Sequence, residues 1–285
     1  MKQDRAIAVI LMLVALTAIA SLGVIAVFIF KEGVPLIIKT GAGNFFLSSD
    51  WAPREGSFGI GSMIIGSLAV TLGAVTLGAI FSLAGAIVLT HFCPRKLAFG
   101  FKVAIELLAG IPSVVYGFIG VVTLVPFIRN HFGGPGLSVL AASVVLAVMI
   151  LPTVTSIAAD ALMAVPRTYW EGSIALGATP WQSMHMVMLK AARPGILAAL
   201  ILGMGRAVGE TMAVIMVAGN SLEIPRHLTD PVRTLTSNIA LEMGYAAGDH
   251  RRALFATGVT LFAIIMILNT LALAVSRRRG RKGGA

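Results

Sequence analysis

Two charged residues lie close together inside an otherwise apolar stretch of the chain. Arg206 and Glu210 interrupt a hydrophobic segment that runs from about Pro194 to Leu222. In a helix these two residues lie one turn apart on one face, which favours an ion pair. At ~1.5 Å per residue, Arg206 lies roughly 18 Å into the segment, near the middle of a bilayer that the segment could cross. A guanidinium at that depth must face protein or water, because its insertion costs about 2.5–3.5 kcal/mol.

The pair has three interpretations. In the first, the two side chains only neutralise each other and fix a helix interface. In the second, Arg206 binds an anion on a path through the membrane, because a guanidinium offers parallel N–H donors to an oxyanion, and Glu210 holds the arginine until the anion arrives. In the third, Glu210 relays protons. Ser113 and Tyr116 could add hydroxyl donors to an anion path, although helix packing explains them equally well.

The sequence contains no other recognisable reaction centre. Its five histidines are scattered without metal-ligand spacing, and its single cysteine, Cys93, can form neither an intrachain disulfide nor a CxxC pair. No Gly-rich loop ends in Gly-Lys-Ser or Gly-Lys-Thr, so the chain has no visible ATP site. We therefore predict no catalytic residues, no metal and no cofactor, and any energy from a nucleotide must come from a partner.

The elements that position these residues are apolar helices. Of the 285 residues, 57% are apolar and 12% are charged, and the mean hydropathy is +0.93, whereas a soluble domain has about 25% charged residues. A helix needs about 20 apolar residues to cross a bilayer. Six segments meet this length, at about 6–30, 63–90, 107–128, 137–159, 194–222 and 253–275. The sequence therefore predicts an all-α polytopic membrane protein with six transmembrane helices.

The basic residues predict the orientation of these helices. The net charge is +10, but Lys and Arg stand mainly at the ends of apolar spans, which is typical of contact with membrane lipid rather than with nucleic acid. With both termini in the cytoplasm, more basic residues, in shorter segments, lie on the cytoplasmic side. The first apolar run is longer than a signal-peptide core, so we expect an uncleaved helix. The basic tail 276–285 is then cytoplasmic.

Small residues mark a packing face on the second span. Ala74, Gly78, Ser82 and Ala86 recur every four residues, a spacing that lets helix backbones approach closely in lipid. An internal seam of the bundle is favoured over a contact with a second subunit.

A long connection, at about 160–193, separates the fourth and fifth spans. Gly177 is placed to end one short helix, and Thr179 followed by Pro180 is placed to begin the next. Such a connection could be a hairpin on the membrane surface or a docking element for a cytoplasmic partner. Periodicity does not separate the two.

This connection resembles a motif of the membrane subunits of ABC importers, Glu-Ala-Ala-x3-Gly-x9-Ile-x-Leu-Pro. Glu171, Gly177 and Leu189 match it in register, while Gly-Ser replaces Ala-Ala, Val replaces Ile and Lys replaces Pro. The resemblance implies that these three residues belong to a coupling helix that sits in a groove of an ATPase subunit.

Longer strings narrow the resemblance. Residues 106–117 read ELLAGIPSVVYG, 205–214 read GRAVGETMAV, 216–220 read MVAGN, and 233–245 read RTLTSNIALEMGY. They are similar to phosphate-specific ABC importer permeases of the C type, the PstC family, with the sister A-type subunit as the near alternative. The resemblance covers about residues 58–270.

The resemblance implies an ABC importer (type I) permease fold in the bacterial cytoplasmic membrane. It also implies a function: a non-enzymatic subunit that imports inorganic phosphate, driven by ATP hydrolysis on a separate subunit. The implied partners are a sister A-type permease, a homodimeric ATP-binding subunit and an extracytoplasmic phosphate-binding protein. The chain then divides into a first transmembrane helix with its outer loop, 1–57, and a permease core, 58–285.

Two rival functions stay open. A permease of the same class could carry another oxyanion, such as sulfate or molybdate. A proton-coupled secondary carrier could use Glu210, although the sequence shows no inverted repeat of the kind found in many such carriers.

Overall fold

The structure is a computed structural model that describes residues 2–280. These residues form α-helices joined by short connections and one small antiparallel hairpin, which the all-α prediction did not include. The first part contains α1 (Lys2–Thr40), α2 (Ala42–Leu47), β1 (Trp51–Ala52), β2 (Ser57–Phe58) and α3 (Gly61–Ile87). The second contains α4 (Arg95–Ala109), α5 (Ser113–Ile119), α6 (Val125–Phe132) and α7 (Val139–Met163). The third contains α8 (Arg167–Ala175), α9 (Pro180–Gln182), α10 (Leu189–Ala191), α11 (Arg193–Gly209), α12 (Met212–Val217), α13 (Leu235–Glu242) and α14 (Gly248–Gly280).

Three π-helical turns extend these helices. They are Val88–Phe92 at the end of α3, Gly120–Leu124 between α5 and α6, and Ser183–Met188 between α9 and α10. Such turns widen a helix locally and are frequent at functional sites.

Within residues 2–280, five helical segments are long and apolar enough to cross a membrane. They are Val9–Thr40, Gly61–Phe92, Ser113–Phe132, Val139–Met163 and Gly248–Leu271. The remaining predicted span is broken. Helix α11 ends at Gly209 and α12 begins at Met212, so the break lies within the predicted span; at its start, α11 is also bent by 71° from the preceding segment Pro180–Ala191. The prediction of a polytopic helical membrane protein is confirmed, with the 194–222 segment as an interrupted span.

Two predicted boundaries differ from those of the structure. The third span was predicted to begin near Leu107, but the structure places this residue at the end of α4, and the span begins at Ser113. Pro112 disfavours helical backbone in the residue before it and cannot donate to the helix. The first helix continues past the predicted end at Phe30 to Thr40, through Pro35.

The small-residue stripe of α3 forms an internal seam with α7. The stripe is buried, and the Ser82 hydroxyl donates to the Leu151 carbonyl at 3.3 Å. A Cβ added to Gly78 would lie 2.7 Å from Ile150 Cδ1. Small side chains are therefore required for the two helices to approach, as the internal-seam prediction expects.

A second packed region joins α1, the hairpin and α14. Phe28 lies edge-to-face with Phe255 at a centroid distance of 5.3 Å, and Gly33 lies directly against the α14 backbone at Ala256. Trp51 of the hairpin is buried in the same region. The division of the chain at residue 57 stays a prediction.

Candidate functional site

Arg206 lies in the last turn of α11, beside a groove within the membrane-spanning region. The groove is mostly apolar, and its lining residues are Thr153, Ala198, Ile201, Leu202, Gly205, Arg206 and Asn269. Arg206 Nη1 donates to Thr153 Oγ1 at 3.1 Å, while the side chain as a whole is exposed. Thr153 is the one hydrogen-bond partner of Arg206 among the residues that the structure describes, which leaves the other guanidinium donors available for an anion.

Glu210 does not pair with Arg206, so the predicted ion pair one turn apart is wrong. Helix α11 ends at Gly209, and Glu210 has extended backbone with φ −69° and ψ 132°. Glu210 Oε1 instead accepts the backbone N–H of Ala213, at 3.2 Å, in the first turn of α12. The first N–H groups of a helix have no partner within it and carry partial positive charge, so they attract the carboxylate.

The other two predicted path residues line the start of α5. Ser113 is its first residue and is half-buried. The Tyr116 hydroxyl donates to the Leu108 carbonyl at 2.7 Å, and Tyr116 does not line the groove. Tyr116 is therefore engaged in closing the break between α4 and α5.

Two polar groove residues were missed by sequence reasoning. Thr153 follows Pro152 within α7, and Asn269 lies in α14. The available signal was a polar side chain within an apolar span. A threonine gives this signal weakly, because its hydroxyl often bonds within its own helix.

The predicted turn of the long connection is confirmed. Helix α8 is followed by Gly177 with φ +88°, a left-handed conformation that glycine adopts without steric cost. Thr179 then caps α9 in a capping box with Gln182: the Thr179 N–H donates to Gln182 Oε1 at 2.8 Å, and the Gln182 N–H donates to Thr179 Oγ1 at 3.3 Å.

The connection presents an apolar surface and packs against the end of α3. Leu176 is 92% exposed and Trp181 is 60% exposed, and Glu171 is exposed on α8. The Trp170 ring lies 4.9 Å from the His91 ring, in the π-helical turn that follows α3. Leu189 is half-buried against the core. Of the three motif residues, Glu171 and Gly177 therefore face outward, whereas Leu189 packs against the core.

The segment 223–252, which the distribution of basic residues predicts to lie outside the cell, holds a second set of polar contacts. In its first part, Asp230 Oδ2 accepts the backbone N–H groups of His227 at 2.8 Å and Arg226 at 2.9 Å. These donors hold the pKa of the Asp230 carboxyl below its usual range. In its later part, Glu242 is buried among Trp51, Arg233 and His250.

The model of one protein family, the binding-protein-dependent transport system inner membrane components, matches residues 82–281. The chain belongs to this family. It is 41% identical to the probable ABC transporter permease protein YqgH of Bacillus subtilis, over 93% of this chain and 88% of that protein. It is 33% identical to the phosphate transport system permease protein PstC of Mesorhizobium japonicum, over 95% of this chain and 89% of that protein. The family description and the apolar helices make the chain a multi-pass inner-membrane protein.

The fold also matches a solved transporter. A chain of the bacterial alginate ABC transporter, solved in complex with an alginate-bound periplasmic protein, superposes with a TM-score of 0.66 over 93% of this chain and 94% of that chain, at 14% identity. The predicted ABC importer permease fold is confirmed, and so is the resemblance to the PstC family drawn from the motifs.

Proposed function

We propose that the chain is the C-type permease subunit of an ATP-driven importer of inorganic phosphate. The observation that carries the proposal is its similarity, over nearly the whole length, to permeases named for phosphate transport. The groove beside Arg206 adds a physical reason, since it offers a cation to an oxyanion where little else is polar.

In this proposal Arg206 binds phosphate briefly as it passes. The planar guanidinium can donate two parallel hydrogen bonds to two phosphate oxygens. Thr153 and Asn269 supply further polar atoms on the groove wall. A translocation site must also release its ion, and a wall that is mostly apolar provides few further donors to retain it. We also assign Ser113 and Tyr116, in α5, to the path, although neither lines the groove.

The energy for transport comes from partners in this proposal. A homodimeric ATP-binding subunit docks on the 160–193 connection through Glu171 and the exposed side chains around Gly177, with Leu189 transmitting its movement to the spans. A sister A-type permease completes the path, and an extracytoplasmic protein delivers phosphate. Both termini then lie in the cytoplasm.

The rivals differ from this proposal in testable ways. Sulfate or molybdate would use the same guanidinium chemistry, so only transport measurements separate them from phosphate. A proton-coupled carrier would need Glu210 to bind and release protons freely. Its carboxylate is instead engaged in capping α12, which disfavours that function.

The test is uptake of radiolabelled phosphate in cells that lack other phosphate importers, normalised to assembled complex. We expect Arg206→Gln to lower uptake by about tenfold or more, the scale of a lost hydrogen bond to a charged group. Arg206→Lys should retain part of the uptake, because it keeps the charge without the planar fork. Arg129→Gln, the same change at an exposed arginine of α6 that does not line the groove, is the matched control and should stay within about twofold of wild type.

Normal uptake by Arg206→Gln would show that the groove is not part of the substrate path. If the wild-type complex carries sulfate or molybdate and not phosphate, the substrate assignment is wrong while the permease assignment stands.

A further inference from the structure

A buried carboxylate joins three separate parts of the outer region. Glu242, at the end of α13, is 8% exposed. Its Oε1 accepts from Arg233 Nη1 at 2.7 Å, and its Oε2 accepts from Trp51 Nε1 at 2.9 Å and lies 2.8 Å from His250 Nε2. Trp51 belongs to the hairpin and His250 to the start of α14. We call these four residues the outer hub.

The hub is connected to the outer end of the interrupted span through Arg233. Arg233 Nε donates to the Asn220 carbonyl at 3.1 Å. Asn220 follows α12 and has a left-handed backbone with φ 54°. A parallel bridge between Gly219 and Val232 fixes the same junction. Movement of Arg233 therefore reaches the end of α12 directly.

The hub is also connected to the break beside Arg206. Glu242 ends α13, and the first turn of this helix holds Thr236, whose hydroxyl donates to the Glu210 carbonyl at 2.9 Å. The Leu235 N–H of the same turn donates to Ser67 Oγ of α3 at 2.9 Å. Helix α13 is thus a short rigid link with the hub at one end and the helix break at the other.

Soluble molecules have access to the outer side of the hub. His250 lines a polar cavity together with charged residues of the hairpin region and of the ends of α1 and α14, and these are Lys39, Asp50, Arg54, Glu55 and Asp249. Both carboxylate oxygens of Glu242 are paired, and paired buried polar groups hold one another rigidly, so we expect a displacement at this surface to reach α13.

We propose that Glu242 is a positioning residue, which transmits docking of the extracytoplasmic binding protein through α13 to the helix break at Glu210 and so to Arg206. The inference rests on the proposed function for the identity of the docking partner. Glu242 touches neither the groove nor the substrate. The role of Glu242 is to couple movement of the outer surface to movement of the helix break at Glu210.

The first test measures ATPase activity of the reconstituted complex against the concentration of binding protein. Glu242→Gln keeps the shape of the side chain but removes its charge, and Trp51→Phe keeps the ring but removes one donor. For Glu242→Gln we expect maximal stimulation to fall about tenfold, because Arg233 is left without its ionic partner. The half-saturating concentration of binding protein should stay within about twofold, because the docking surface is intact. Trp51→Phe should show a smaller fall of the same kind.

The control is Glu223→Gln, the same change at an exposed carboxylate. Glu223 belongs neither to the outer hub nor to the residues that line the polar cavity. Substitutions at such surface positions have small effects, so this variant should be stimulated as wild type is. If Glu242→Gln raises the half-saturating concentration of binding protein without lowering maximal stimulation, Glu242 belongs to the docking surface and the proposal is overturned. Normal stimulation of Glu242→Gln would also overturn the proposal.

The second test does not depend on the substrate. In a Cys93→Ser background, Gly209→Cys places a thiol directly before the break, where a side chain meets no neighbour. We expect saturating binding protein and ATP to change the rate of labelling at this thiol, and Glu242→Gln to abolish the change. If binding protein and ATP change the labelling rate in the Glu242→Gln background as much as they do without this substitution, the proposal is overturned. If the wild type transports another oxyanion, this labelling result still decides the role of Glu242.

Discussion

At the scale of single residues, Glu210 makes two contacts that hold the break between α11 and α12. Its backbone carbonyl accepts from Thr236, and its carboxylate accepts from the first turn of α12. Arg206, one turn earlier, is left to face the groove with Thr153 as its neighbour. The negative charge of Glu210 is therefore directed at a helix end, and the positive charge of Arg206 is available to an anion.

This division of roles predicts different effects of two substitutions at Glu210. Glu210→Gln retains an oxygen that can accept from Ala213, so the complex should keep most of its stability and uptake. Glu210→Ala removes the acceptor, and loss of a cap costs about 0.5–2 kcal/mol. Thermal unfolding of the purified complex should therefore occur at a lower temperature for Ala than for Gln. Equal unfolding temperatures for the two variants would show that the cap does not stabilise the break.

Sequence reasoning could identify Arg206 but not its neighbourhood. A charge within an apolar span is visible in a single sequence, since it is costly there. Its supposed pairing with Glu210 assumed a continuous helix, and the chain leaves the helix at Gly209. The outer hub was invisible for another reason. Trp51, Arg233 and His250 are brought to Glu242 by the tertiary fold alone.

At the scale of elements, the short helices around Gly177 follow local rules closely. A left-handed glycine ends α8, and a Thr-Pro pair with Gln182 begins α9. These signals lie within a few residues of each other, which is why the sequence predicted them. Pro112, three residues after the end of α4, was also a local signal that this helix ends. The apolar residues before it were counted into the next span, because hydropathy does not register a change of helix direction.

Two glycines of the long connection give a matched test of its shape. Gly177→Ala forces a side chain into a left-handed conformation, at a cost of about 1–2 kcal/mol. Gly172→Ala places the same methyl group within helix α8, where nothing lies nearby and alanine is favoured by about 0.5–1 kcal/mol. ATPase stimulation by the binding protein should fall for Gly177→Ala and persist for Gly172→Ala. If both variants couple normally, the turn at Gly177 is not required for docking of the ATPase.

At the scale of the whole molecule, two packed regions meet along α3 and α14. The groove is lined by residues of α7, α11 and α14, and the region of α1, the hairpin and α14 contains the outer hub. Composition and apolar run length were sufficient to predict a helical membrane protein, because both depend on totals rather than on contacts. The path between hub and groove depends on contacts, so it required the structure.

The basic residues of the chain predict how the molecule is oriented in the membrane. The distribution of Lys and Arg places both termini and the 160–193 connection in the cytoplasm and the hairpin outside. In a Cys93→Ser background, Glu55→Cys tests the hairpin and Ala175→Cys tests α8, and both positions are exposed. A thiol reagent that cannot cross membranes should label position 55 in intact cells and label position 175 only after the cells are permeabilised. Labelling of position 175 in intact cells, with position 55 protected, would invert the topology and place the outer hub on the side of the ATPase.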